Sequence, residues 1–189
     1  MNIREFSLNL QKLYQEMDQT FSPYQASTGL HCLPGCGRCC MNPEVEASLL
    51  EMLPFALRVL DEGTLNEWMD KLENNQQDFC VLFQNEGEGR GKCGSYQDRP
   101  SVCRMFGVAG YFDKHHQVTL SICKYIQEMD TELSEKMKAQ ADQENTPMLM
   151  LWSSQMAVLN PDLIQNKMLI NMAIKEALAK VALYAMYQS

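Results

Sequence analysis

The tightest constraint on this 189-residue chain is the run His31-Cys32-Leu33-Pro34-Gly35-Cys36-Gly37-Arg38-Cys39-Cys40. Its four thiols are spaced Cys32-x3-Cys36-x2-Cys39-Cys40, and four more follow singly at Cys80, Cys93, Cys103 and Cys123. A Cys-x2-Cys turn lets two sulfurs converge on one metal, and Gly35 and Gly37 supply the backbone freedom such a turn needs. Zinc and iron–sulfur clusters both commonly take four thiolates. Eight cysteines therefore fill two such sites, or one site with spares. Neighbouring side chains rarely face one centre, so Cys39 and Cys40 are expected to serve different metals, or one of them to be no ligand. A structural zinc knuckle shows two clean Cys-x2-Cys pairs. One crowded cluster with dispersed followers suits an iron–sulfur cluster or a dinuclear iron site better, with zinc and mononuclear iron as the alternatives.

Charge and compartment narrow the reading. A formal net charge of −8 is wrong for phosphate binding and for docking on anionic lipid, so neither nucleic acid nor membrane is an expected partner. The N-terminal stretch carries no apolar run of signal-peptide length, and no window reaches transmembrane length. A cytoplasmic setting with reduced thiols is expected, which favours ligation over disulfides.

Apolar spacing outlines a mainly α fold with a small β element beside the cysteine-rich metal site, expected as one domain over 1–189. Phe6, Leu10, Leu13, Tyr14, Met17 and Phe21 predict a helix over 3–21, ended by Ser22-Pro23. Asn42-Pro43 reads as a cap plus first-turn proline for a helix through Leu49, Leu50 and Leu53, broken or kinked at Pro54, with Phe55 to Leu60 as another helical piece. Thr64-Leu65-Asn66-Glu67 is a capping-box pattern. The run 79–83 looks like a buried strand, 84–92 like a mobile loop. Residues 108–112 and 117–122 read as a hairpin turning at Asp113-Lys114-His115-His116. Beyond Lys124 helices return: a stripe of Ile126, Met129, Leu133 and Met137, a segment over 147–159, and a last helix started by Asn160-Pro161. These C-terminal helices occupy 126–187.

The second half of the cysteine set lies in Cys93-x2-Tyr96-x2-Arg99-Pro100-x2-Cys103-Arg104-x-Phe106. Together with Cys36-x2-Cys39-Cys40 and the intermediate Cys80, this resembles the YkgJ-type cysteine-cluster family, described as zinc- or iron-chelating proteins. Cys32 stands in place of the family's first cysteine, one residue further out than its commonest spacing. The resemblance covers about 30–125 and leaves the flanking helices outside. Flagellin lysine methylases share a similar cysteine-rich segment, apparently around an iron–sulfur cluster, but this chain shows no Gly-rich nucleotide fingerprint.

The ligand set read from the sequence is Cys36, Cys39, Cys40, Cys80, Cys93 and Cys103, then Cys32, with Cys123 last because it stands alone after the hairpin. Arg99 and Arg104 are candidate cofactor-binding cations: they either offset thiolate charge and meet an anionic ligand, or pair with carboxylates. Tyr96 and Phe106 are expected to pack over the site and exclude water. His31 is a ligand candidate through its position alone, whereas His115 and His116 read as surface. Three functions follow. The first is an iron–sulfur protein for electron transfer or redox sensing, with a protein redox or metal-delivery partner. The second is a zinc-chelating structural or metal-handling module. The third, a metal-dependent enzyme such as a protein-modifying methylase, ranks below these, because no catalytic set of side chains is visible.

Overall fold

Helix α1 (Ile3–Thr28) opens the chain, with the Asn2 side chain accepting from the Arg4 amide at 3.0 Å as its N-cap. The computed structural model describes residues 2–32, 34–88 and 90–187. Phe6, Leu10, Leu13, Tyr14, Met17 and Phe21 form the buried stripe of α1, as their spacing requires. The helix does not stop at Ser22-Pro23: Pro23 lies inside it. Proline forfeits one intrahelical hydrogen bond, but buried Phe21 and half-buried Tyr24 pack on either side of that turn and offset the loss. Gly29, at φ +77°, ends the helix by donating its amide to the Gln25 carbonyl.

Residues 43–49 do not form the expected helix. Asn42 turns the chain by accepting from the Glu44 amide at 3.0 Å, and β1 (Glu46–Ser48) follows. A 3-10 turn (Leu50–Met52) then leads into α2 (Leu53–Asp61), where Pro54 occupies the first turn. Proline there starts a helix because its missing N–H would have had no partner. α2 is buried along Leu53, Phe55, Ala56, Leu57 and Val59. α3 (Leu65–Glu73) begins after Thr64, whose hydroxyl turns back to the Val59 carbonyl and caps nothing.

The segment 79–82 is irregular, and the presumed loop after it is a hairpin of β2 (Phe83–Gly87) and β3 (Arg90–Cys93). Gly91 makes that hairpin possible, since a Cβ there would lie 2.3 Å from the Gln84 carbonyl oxygen. A 3-10 turn (Tyr96–Asp98) and α4 (Ser101–Met105) carry the second cysteine signature. The expected hairpin is present as β4 (Val108–Phe112) and β5 (Val118–Ile122), its turn held by Asp113 accepting from His115 and Gln117 amides.

The stripe from Ile126 to Met137 is split into α5 (Lys124–Met129) and α6 (Thr131–Ala139), because Asp130 caps the second helix at 2.8 Å. α7 (Leu149–Leu159) follows. Asn160-Pro161 starts only the one-turn α8 (Asp162–Gln165), and the last long helix, α9 (Ile170–Met186), begins after β6 (Lys167–Leu169).

The fold is thus mainly helical with three two-stranded antiparallel sheets among the described residues, β1–β6, β2–β3 and β4–β5. The main core joins α1, α2, α7 and α9, and each fully buried Leu, Ile or Phe contributes about 1.5–3 kcal/mol. A smaller cluster of Leu30, Val108, Leu120, Ile122 and Ile126 sits under the second hairpin.

One polar group ties these parts together. The Glu51 carboxylate is fully buried and accepts from the Ser48 amide (2.8 Å) and hydroxyl (3.1 Å), the Ser101 amide (3.2 Å) and hydroxyl, and Lys167 Nζ. Replacing it by alanine leaves Lys167 and Ser101 without their acceptor. Glu51→Ala is expected to destabilise the protein by about 3 kcal/mol, read as a shift in the urea unfolding curve. A loss under about 1 kcal/mol would mean that water replaces the carboxylate at no great cost.

Candidate metal centre

The cysteine loop is laid down against the first hairpin by backbone pairing. Gly91 donates its amide to the Gly35 carbonyl at 2.9 Å, and Cys36 bridges to Arg90. Gly35, at φ +72°, has the torsion expected of it. Gly37 serves a different need, because a Cβ there would lie 2.2 Å from the Phe83 ring. It provides room for the hairpin rather than freedom for the turn. Residues 37–42 then coil tightly, with Cys40 and Met41 amides both donating to the Gly37 carbonyl. The Cys80 amide donates to the Cys40 carbonyl at 3.0 Å, which draws the irregular 79–82 segment to the cluster. Cys93 ends β3 opposite Phe83, and Cys103 lies on α4.

These elements enclose a cavity of about 350 Å³. Cys32, Cys36, Cys39, Cys40, Cys80, Cys93 and Cys103 all line it, with Arg99 and Arg104. Cys123 does not. It borders a separate cavity of about 750 Å³. Gly107 lies between the two: the Cys123 amide donates to the Gly107 carbonyl at 2.7 Å, and a Cβ on Gly107 would lie 3.6 Å from the Cys32 sulfur. His31 is exposed and lines neither cavity, and His115 and His116 are exposed at the hairpin tip.

The adjacent pair, Cys39 and Cys40, lines the same cavity. The Cys40 thiol donates to the Cys39 sulfur, which pulls Cys39 down to about 6 and holds Cys40 far above the ordinary thiol value. Burial pushes Cys80 up to about 11 and lifts Cys103 further, with the charge of neighbouring thiols adding to it. Cys32 rises to about 11 and Cys93 also rises, burial being the first cause in each. For Cys80 the shift corresponds to about 3 kcal/mol against its thiolate. A bound cation reverses that balance, because metal ligation is by the thiolate and releases its proton. The donor set therefore fits a thiophilic metal. As they stand, no three Cys, His, Asp or Glu side chains among the described residues are gathered closely enough to hold one ion.

The two arginines occupy different situations. Arg104 has a buried guanidinium, 3% exposed, that pairs with Asp18, donates to the Gln97 and Arg99 carbonyls and stacks on Tyr14. Arg99 donates to the carbonyls of Tyr96 (3.1 Å) and Cys103 (3.4 Å), and its guanidinium carbon lies 3.4 Å from the Tyr96 ring centroid. Its charge favours the thiolate at Cys32, Cys39, Cys93 and Cys103. Tyr96 and Phe106 are 58% and 41% exposed, so they flank the mouth and do not seal it.

Sequence reasoning missed the contribution of α1. Asp18, Phe21, Ser22 and Gln25 form a wall of the cavity. The available signal was Asp18, a charge four residues after Tyr14 and three before Phe21, which puts it at the edge of the buried stripe.

Residues 31–124 match the family described as "CxxCxxCC: Putative zinc- or iron-chelating domain". No curated protein and no solved structure matches the chain.

In protein stripped with a chelator, the thiols should titrate in two groups. Iodoacetamide labelling of Cys39, mapped by mass spectrometry, is expected to rise around pH 6 and that of Cys80 only toward pH 11. A lowered folded pKa gives Cys39 a stabilising share that is full above the ordinary thiol value of 9.0 and lost as pH falls through about 6. The raised value gives Cys80 a share that is full below 9.0 and lost as pH rises through about 11. Uniform labelling of all thiols near pH 9 would contradict both.

Proposed function

We propose, for a chain whose residues 31–124 belong to this zinc- or iron-chelating cysteine-cluster family, that the cavity holds a thiolate-ligated iron centre, an iron–sulfur cluster, used for electron transfer or redox sensing. The observation that carries the reading is the seven thiols lining one cavity. One cluster, like one tetrahedral ion, takes four of them, and the remainder can exchange into the shell or serve a second metal. When bound, such a cluster supplies one-electron redox capacity. Cys36, Cys39, Cys40, Cys80, Cys93 and Cys103 are the residues proposed to hold it, with Cys32 at the exposed end.

The chain's own residues do the rest. Arg99 offsets thiolate charge from the mouth of the cavity. Val45, Leu82 and Ile170 give it an apolar lining that limits water beside the buried sulfurs. Binding draws the cysteine loop and the hairpin together, because their sulfurs are not gathered in advance. A reducing, cytoplasmic setting keeps these thiols available. Redox use also requires a protein partner, for which the mouth between Tyr96 and Phe106 is the proposed approach.

The test is iron, zinc and acid-labile sulfide analysis of protein purified without oxygen, read beside its visible spectrum. Iron with sulfide and a colour that dithionite bleaches is expected. Zinc without sulfide or colour would replace this reading by the zinc-chelating one, which the same thiols and the family description support. Finding neither metal would end both. Cys103→Ser is expected to weaken metal retention about tenfold or more, and Cys123→Ser, outside the cavity, by less than threefold, each measured by competition with a chromophoric chelator.

A further inference from the structure

Cationic side chains outnumber carboxylates in the cavity lining, the reverse of the chain as a whole. In a chain of net charge −8, the described lining carries Lys92, Arg99 and Arg104 against one carboxylate, Asp18. Asp18 and Arg104 pair with each other and cancel. Lys92 is exposed and pairs with Glu86 at 3.8 Å. Arg99 has no ion-pair partner among the described residues, and its Nη2 donates to nothing there. The Tyr96 ring holds the guanidinium on one face and is itself 58% exposed, so the cation stands at the entrance. A bare divalent ion approaching this entrance meets the unpaired charge of Arg99, to which an anion is drawn. The volume of about 350 Å³ also exceeds what a metal ion needs and falls in the range of small-ligand sites.

We propose that the metal reaches the cysteines as an anionic carboxylate chelate, and that Arg99, assisted by Lys92, receives a carboxylate of that chelator. This rests on the metal-centre reading above and adds the form in which the metal is taken up. Charge-assisted hydrogen bonds from a guanidinium fork suit a carboxylate in particular. Held there, the chelate presents its metal to the thiols. Metal–oxygen bonds break as metal–sulfur bonds form. Each entering thiol gives its proton to the departing carboxylate or to water, and the metal keeps its oxidation state.

The experiment follows cobalt(II) uptake by the stripped full-length chain, through its sulfur-to-metal absorption in a stopped-flow instrument. Cobalt is presented either as cobalt citrate or as cobalt sulfate. In Arg99→Ala the rate from citrate, taken as a ratio to the rate from sulfate in the same variant, is expected to fall at least tenfold from its wild-type value. Arg99→Lys should recover part of the loss. Lys92→Ala, at an exposed position, should slow the citrate reaction about threefold. Equal loss from both cobalt sources would show that Arg99 acts only on the charge of the bound centre, and no loss from either would show that it has no part; each overturns the proposal. A wild-type chain that takes up cobalt from neither source would instead overturn the metal-centre reading on which it rests.

Discussion

The buried carboxylate of Glu51 is the constraint on which the rest of the structure depends. Taking that charge out of water costs several kcal/mol unless its oxygens are fully engaged. Here the engagement comes from three separate stretches: Ser48 on β1, Ser101 at the head of α4, and Lys167 on β6. The carboxylate therefore cannot be satisfied until the β1–β6 pair has formed and α4 has docked. Tyr14 joins the same knot by donating to the Glu51 carbonyl at 3.3 Å. α4 in turn places Cys103 in the cavity and Arg104 against Asp18 and the Tyr14 ring. One wall of the cavity is thus part of the core, fixed by the packing of α1, α2 and α9.

The opposite wall is built otherwise. The loop carrying Cys32, Cys36, Cys39 and Cys40 is held mainly by backbone hydrogen bonds to an exposed two-stranded hairpin, through Gly35, Gly37 and Gly91. An isolated hairpin of this kind has little stability of its own. Cys103, which burial holds protonated, therefore faces a loop in which Cys39 is shifted down while Cys32 and Cys40 are shifted up. In the proposed metal centre, a cation beside the buried sulfurs would release their protons. Metal affinity and the folding of the loop are then parts of one equilibrium.

What the sequence disclosed and what it withheld divide along the range of the interactions. The α1 stripe and the β4–β5 hairpin were legible because their signals are local: a helical period in one, alternation around Asp113 in the other. The two cysteine signatures were legible because ligand spacing survives without knowledge of the fold. Proline was misread at Pro23, and at Pro54 the helical piece that follows was foreseen while the helix before it is absent, since a proline's effect depends on whether the turn around it is packed and where in the helix it falls. The same dipeptide, Asn-Pro, opened a turn at 42–43 and a single helical turn at 160–161, because β1 and β6 pair with each other and claim the residues that follow. The hairpin at 83–93 looked like a loop because its strands are polar and exposed, and what supports them is the approach of Gly91 to Gln84 and Phe83. None of Asp18, Glu51 or Lys167 announces its partner, each being tens of residues from it in the chain.

Arg99 and Arg104 show most clearly why a motif alone does not assign a role. They lie five residues apart in one signature and carry the same charge, so spacing treats them alike. The fold separates them through Pro100, which fixes an extended step between the 3-10 turn and α4. Beyond that step Arg104 points into the interior, where Asp18 and two carbonyls take up its donors and its charge is cancelled. Before the step Arg99 remains at the mouth with its charge uncancelled, held on an aromatic face that leaves one edge of the guanidinium open. One arginine is spent in building the wall of the cavity. The other keeps an uncancelled charge at the mouth of the cavity, against the acidic balance of the protein as a whole.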